Sequence, residues 1–231
     1  MTTSKNLLQY FPLSDVASVG NVSLDTQLDT GGSLSHAEVD QIVLNNNQAY
    51  LSREYGGILV VNLDKAGDPS AVAVDYFIAD VPNPRGLAYD GRYLYVVEEG
   101  DEDGTWHRYL LILDLSTLTP LTGNATTLQV DKDDDGLLVA AIEVGKTPEE
   151  VLLTSVYAFV TNQEDNTVSV ISLATQTKVM DIPIGENTEP FSMALYTLPD
   201  GTEKYLYVGN VESNTITIID IPTLTVVGTF P

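Results

Sequence analysis

The chain contains no cysteine and only two histidines, His36 and His107. Without thiols it forms no disulfide, attaches no heme covalently and offers no thiolate to a metal. The histidines lack any zinc-like spacing and read as strand-edge or loop residues. Positive charge is scarce too: Lys plus Arg total 10 against 33 Asp plus Glu, a net charge of −23. Such a balance excludes nucleic acid and anionic membrane as natural partners; it suits cations, basic partners, a salty medium or plain solubility. No apolar run approaches the ~20 residues of a membrane helix, so membrane insertion is not expected. Near the N-terminus the apolar stretch is broken by Gln9, Pro12, Ser14 and Asp15, which is no secretory h-region, and no signal peptide is expected in this chain. Neither a G-x-S-x-G elbow nor a phosphate-binding glycine loop occurs.

What the chain does have is a repeat. Phe159-Val160-Thr161-Asn162 followed by Asn166-Thr167-Val168-Ser169-Val170 lines up with Tyr207-Val208-Gly209-Asn210 followed by Asn214-Thr215-Ile216-Thr217-Ile218. Upstream, Tyr95 precedes Leu110 to Leu115 and Tyr50 precedes Ile58 to Leu63, so aromatics at 50, 95, 159 and 207 mark four units at intervals of 45, 64 and 48. The long interval has a source: unit two carries an acidic turn at 98–105 and a polar segment at 116–136. Pro84, Pro148 and Pro190 precede their aromatics by 11, 11 and 17 residues, the last spacing stretched by the turn Leu198 to Lys204. Within unit three, alternation and turn chemistry predict strands at about 149–154, 156–162, 166–173 and 177–184. A period near fifty residues holding only strands predicts an all-β chain, a β-propeller built of four-stranded antiparallel blades. Four blades are recognisable, at about 37–81, 82–145, 146–186 and 187–231, behind an N-terminal segment 1–36 of short strands or a partial blade. Four is the bottom of the usual range, and an arc of a larger propeller is expected, with a closed ring using the N-terminal strands as the rival. An arc would expose apolar end blades and associate through them.

These residues also resemble a family. Tyr-Val-Thr-Asn, an Asn-Thr-Val strand and a Gly-x-x-Pro corner, here Gly145-Lys146-Thr147-Pro148, are similar to the YVTN-type β-propeller repeat of prokaryotic surface and secreted proteins. Phe replaces Tyr at 159, Gly replaces Thr at 209, and the corner Gly185 to Pro190 is two residues longer. Asp90 to Val96 resembles lactonase-like propeller repeats, and Gly57 to Asn62 the LVIVD repeat. The resemblance covers about residues 37–231 and implies an extracellular or cell-surface setting. Propellers host enzymes and binding modules alike, so it does not imply an activity.

The sharpest chemical candidate is Asp131-Lys132-Asp133-Asp134-Asp135-Gly136. Carboxylates of Asp131, Asp133 and Asp135 ahead of a glycine are how a short loop wraps calcium, although the acid an EF-hand needs at position twelve is Ile142 here, with Glu143 one residue late. A calcium loop and a solvated acidic loop both remain open. A second cluster, Glu98 to Gly104, offers Asp101 and Asp103 as weaker metal candidates. Trp106 and Tyr109 are a candidate ligand platform, with a hairpin aromatic covering a blade edge as the other reading. Glu149 and Glu150 are neighbours, and in a regular strand neighbours point to opposite faces. No catalytic residue is expected, and the blades show no acid at matched positions. The favoured reading is a non-catalytic surface or scaffold propeller that binds a protein or a glycan. A lactonase-like or other hydrolase is one alternative; a self-assembling structural arc is another. Carboxylates from separate blades meeting at the central channel would favour the hydrolase.

Overall fold

The computed structural model describes residues 7–10, 20–23, 39–45, 47–53, 57–63, 74–79, 81–99, 108–117, 126–130 and 136–231. The loops holding His36, Asp101, Asp103, Trp106, His107, Asp131, Asp133 and Asp135 lie outside them. The strands in chain order are β1 (Leu7–Tyr10), β2 (Gly20–Ser23), β3 (Val39–Asn45), β4 (Gln48–Arg53), β5 (Gly57–Asn62) and β6 (Val74–Ala79). Next come β7 (Pro84–Tyr89), β8 (Tyr93–Glu98), β9 (Tyr109–Asp114), β10 (Thr126–Gln129) and β11 (Leu138–Glu143). Two regular blades follow, β12 (Pro148–Leu153), β13 (Tyr157–Asn162), β14 (Thr167–Ser172), β15 (Thr177–Pro183) and β16 (Pro190–Thr197), β17 (Glu203–Asn210), β18 (Thr215–Asp220), β19 (Thr225–Phe230). Among the described residues helix is confined to 3-10 turns such as Leu115–Thr117.

Each blade is an antiparallel meander running from its first strand outward: β3-β4-β5-β6, β7-β8-β9-β11, β12-β13-β14-β15 and β16-β17-β18-β19. One addition departs from the regular pattern. Strand β10, from the polar segment of unit two, pairs parallel with β6 and becomes a fifth strand on the first sheet, with Leu128 packed on the core there. Among the described residues strands β1 and β2 pair with each other and with no other strand.

β-branched and aromatic residues suit the pleated surfaces of β13, β14, β17 and β18, and the tight turns between them use residues that tolerate left-handed backbone. Asn166 and Asn214 take φ of 55° and 53° at matched turns. Facing sheets then bury their apolar sides against each other. The marker aromatics of the first three blades point forward, towards the next sheet: Tyr50 lies with Leu87, Leu94 and Val96, Tyr95 with Val151, Ala158 and Val160, Phe159 with Met193, Leu206 and Val208. Those three aromatics are 1%, 2% and 0% exposed, whereas Tyr207 in the last blade is only part-buried. A buried polar position recurs three residues after each aromatic: Arg53, Glu98, Asn162 and Asn210.

Candidate functional site

The first strands of the four blades, β3, β7, β12 and β16, pack side by side and enclose a cleft of about 340 Å³. Its lining is Asp40 and Gln41, Arg85 and Gly86, Glu149 and Glu150, Phe191 and Ser192. These are the same two positions in every blade, the pair that follows Pro84, Pro148, Pro190 and, in blade one, Val39.

Two consecutive residues reach one cleft because each first strand is bulged there. The register slips between Val39 and Ile42, Pro84 and Leu87, Pro148 and Val151, and Pro190 and Ser192. An extra residue in the strand breaks the two-residue alternation and re-aims its side chain. Glu149 is turned towards Arg85, Glu99 and Asp40 of the preceding blades and Glu150 towards the Met193 N–H of the following one, as expected of neighbours in a strand, yet both line the cleft. The expectation of no acid at matched positions is corrected, since Asp40 and Glu149 hold the same place in blades one and three. The signal was present in the sequence as the pair after each opening proline.

Charge in the cleft is organised around Arg85. Its Nε and NH2 donate to Glu99 Oε2 at 2.8 Å each, and NH1 lies 3.9 Å from Asp40 Oδ2. Burial disfavours the guanidinium charge, but the bonds and charge of Glu99 more than offset it, and its pKa is raised. Asn83 Nδ2 also donates to Glu99 Oε2, at 2.6 Å. Glu99 and Glu98 are thus structural: Glu98 ends β8 and is 1% exposed. Burial pushes the Glu149 carboxyl from 4.5 up to about 7; Arg85 pulls it down, while Glu99 and Asp40 push it further up. Burial also raises Glu150, against the pull of the Met193 N–H that donates to its Oε2. In the same way the Leu87 N–H donates to Gln41 Oε1, so side chains of blades one and three latch the following blade. Phe191 stands 45% exposed on the fourth side. The arrangement is a partly desolvated, acid-rich cleft with its one arginine already engaged, beside an open aromatic ring.

Among the described residues no group of three or more His, Asp or Glu side chains is spaced to hold a metal ion. Tyr109, the one described member of the sequence-derived aromatic pair, begins β9 and packs part-buried against the core between blades one and two.

No protein-family model and no curated protein matches the chain. Solved structures do. The chain is similar to hydrazine synthase of Kuenenia stuttgartiensis at 18% identity and a TM-score of 0.60, over 83% of this chain and 48% of that one. It is similar to the dihydro-heme d1 dehydrogenase NirN, solved in complex with DHE, at 12% identity and a TM-score of 0.59, over 99% and 43%. It is also similar to a nidogen/laminin complex at 14% identity and a TM-score of 0.57, over 92% and 71%. The chain spans about half the length of the first two. At these identities the likeness speaks to the fold alone, and that fold is the β-propeller.

Proposed function

We propose that the protein is a non-catalytic binding scaffold, a propeller of the YVTN repeat kind at the cell surface, whose protein partner inserts a cationic side chain into the axial cleft. One observation carries this reading: Asp40 of blade one and Glu149 of blade three line one cleft beside Phe191, while Arg85 is held by Glu99. A lysine or arginine there gains carboxylates in a site of reduced dielectric and an aromatic face for cation–π contact. The chain's net charge of −23 steers basic partners towards it.

The test is selection of short single-lysine and single-arginine peptides, at 150 mM salt, on the wild type. Recovered peptides are expected to lose at least tenfold in affinity on Glu149→Gln and nothing on Glu212→Gln, an exposed acid outside the cleft. Affinity should also rise with pH through about 7, because the cation needs the ionised form of Glu149. Peptides indifferent to Glu149→Gln would end the proposal, and glycans recovered in a parallel array would replace it.

A hydrolytic reading has one observation in its favour. A half-buried carboxyl raised to about 7 is tuned for general acid–base work, and carboxylates from separate blades do meet at the axis. Ester or lactone hydrolysis abolished by Glu149→Gln would establish it. A structural calcium at Asp131, Asp133 and Asp135 belongs to the proposal as an accessory: calorimetric titration with calcium should give heat for the wild type and none for Asp133→Ala, and identical heats would dismiss it.

A further inference from the structure

The blades are not tied to one another alike. Between blades one and two, the Gln41 N–H donates to Ser52 Oγ at 3.0 Å, and that hydroxyl donates on to the Arg85 carbonyl at 2.8 Å. Between blades three and four, the Glu150 N–H donates to Thr161 Oγ1 at 3.0 Å, and that hydroxyl donates on to the Phe191 carbonyl at 3.2 Å. The side chain of the same first-strand residue doubles each latch: Gln41 accepts the Leu87 N–H and Glu150 the Met193 N–H. Blade two has no means to build either half. Its matched places are held by Gly86, which has no side chain, and Val97, which has no hydroxyl.

Further ties follow the same division. Strand β10, drawn from unit two, pairs with β6 of blade one, and the Tyr50 ring of blade one lies 5.3 Å from Tyr89 of blade two. Ser155 of blade three donates through its N–H and its hydroxyl to the Glu203 carboxylate of blade four, at 2.6 to 2.9 Å. The joint between blades two and three is made instead of apolar side chains, Tyr95 and Val97 against Val151, Ala158 and Val160, and of bare backbone contact at Gly86. Apolar contact is non-directional, so it opposes separation of two sheets but holds their register less firmly than a directional hydrogen bond does. The glycine brings the strands close without a side chain to interlock them. The cleft straddles this joint: its Asp40 and Arg85 come from blades one and two, its Glu149 and Phe191 from blades three and four.

We propose that the chain is built of two latched blade pairs, one with two and three with four, which shear past each other along the joint between blades two and three and so open and close the cleft. Each wall of the cleft then belongs to one body. An occupant that touches Asp40 and Glu149 contacts both bodies and favours the closed arrangement, whereas one held by a single wall leaves the sliding free. The device stands apart from the cationic ligand proposed above, because it acts on whatever the cleft holds.

Since the chain has no cysteine, nitroxide labels on engineered cysteine pairs read the sliding by double electron–electron resonance. Ser116→Cys with Thr175→Cys spans the joint between blades two and three, and Glu164→Cys with Glu212→Cys lies within the second pair; all four side chains are exposed and outside the cleft. Asp40→Cys with Phe191→Cys spans the cleft itself. Distance distributions should be at least twice as wide for the two spanning pairs as for the internal one. Val97→Thr supplies the hydroxyl that the other two joints have and should narrow both spanning distributions to the internal width. Thr161→Val removes a latch and should widen the internal distribution at least twofold. Spanning distributions as narrow as the internal one overturn the proposal, and so do spanning distributions that Val97→Thr leaves unchanged in a folded protein. Should the buried threonine prevent folding, Thr161→Val decides: an internal distribution that stays narrow shows that the latches do not hold the blades. No peptide enters these measurements, so they stand or fall separately from the cationic reading.

Discussion

Asn162 is fully buried and saturated. Its Nδ2 donates to Thr167 Oγ1 at 3.0 Å and Ser169 Oγ at 2.9 Å, and its Oδ1 accepts from the Gly145 N–H at 2.9 Å. Asn210, its counterpart, repeats the two donations to Thr215 and Thr217, but its buried Oδ1 has no hydrogen-bond partner among the described residues. The cause lies in the corner: Gly185 to Pro190 is longer than Gly145 to Pro148, and its Thr188 and Glu189 N–H groups donate to Asn166 Oδ1 instead. Asn162→Ala, which strands the buried Gly145 N–H and removes the donor to Ser169 and to part-buried Thr167, should cost ~1–3 kcal/mol in urea unfolding, and Asn210→Ala measurably less. Equal costs would remove the corner from the account. Glu149 gives a pH signature at the same scale. Its folded pKa is raised from 4.5 to about 7, so the fold favours the neutral acid; that stabilisation is complete below about 4.5 and is lost as pH rises through about 7. Glu149→Gln, neutral throughout, should gain on the wild type in melting temperature as pH rises from about 4.5, with the difference growing most steeply between the two pKa values and levelling off above about 7. A flat difference would mean the carboxyl titrates normally.

At the scale of the element, the bulge at the head of each first strand both makes the cleft and hid it from the sequence. The strands themselves were legible: in blade three every end lies within one residue of the limits expected from alternation and turn chemistry. Alternation assigned Glu149 and Glu150 to opposite faces, and their partners do lie on opposite sides of blade three. What it could not show is that both still line one cleft, because nothing in the order of residues announces a one-residue slip. Strand β10 was hidden for a related reason. A strand that joins the outside of an earlier sheet has its partner β6 far back in the chain, so no local pattern exposes it. The approach of blades two and three is also fixed at this scale. A Cβ on Gly86 would fall 2.7 Å from the Glu149 carbonyl oxygen and 2.8 Å from Glu150 Cα, both backbone atoms that cannot turn aside. Gly86→Ala should therefore cost roughly 1–3 kcal/mol. Gly228→Ala, whose nearest neighbour would be Ile218 Cδ1 at 3.9 Å, should stay within about 0.5 kcal/mol. Similar losses for both would show that the inner strands can spread.

For the whole molecule the governing quantity is charge. Thirty-three acidic residues against ten basic ones leave −23 on a chain of 231, and the ion pairs that exist do little to dilute it. Arg85–Glu99, Arg92–Asp114 and Lys204–Asp220 each consume a cation that then no longer screens its neighbours. Repulsion among the remaining carboxylates opposes compaction, and where they are exposed, as at Asp90, Glu143, Glu164, Asp165 and Glu212, it is open to screening by mobile ions; the Debye length shrinks from ~30 Å at 0.01 M salt to ~3 Å at 1 M. The apolar joints between blades respond to salt only weakly at these concentrations, so the two contributions separate. Raising sodium chloride from 0.01 M to 1 M should raise the melting temperature by several degrees, with most of the gain below about 0.2 M, where the screening length falls fastest. Sodium and tetramethylammonium chlorides should act alike if screening is the cause, since neither requires a coordination site. A gain that appears only with calcium, at millimolar concentration and lost in Asp133→Ala, would instead assign the stabilisation to a bound ion in the acidic loop.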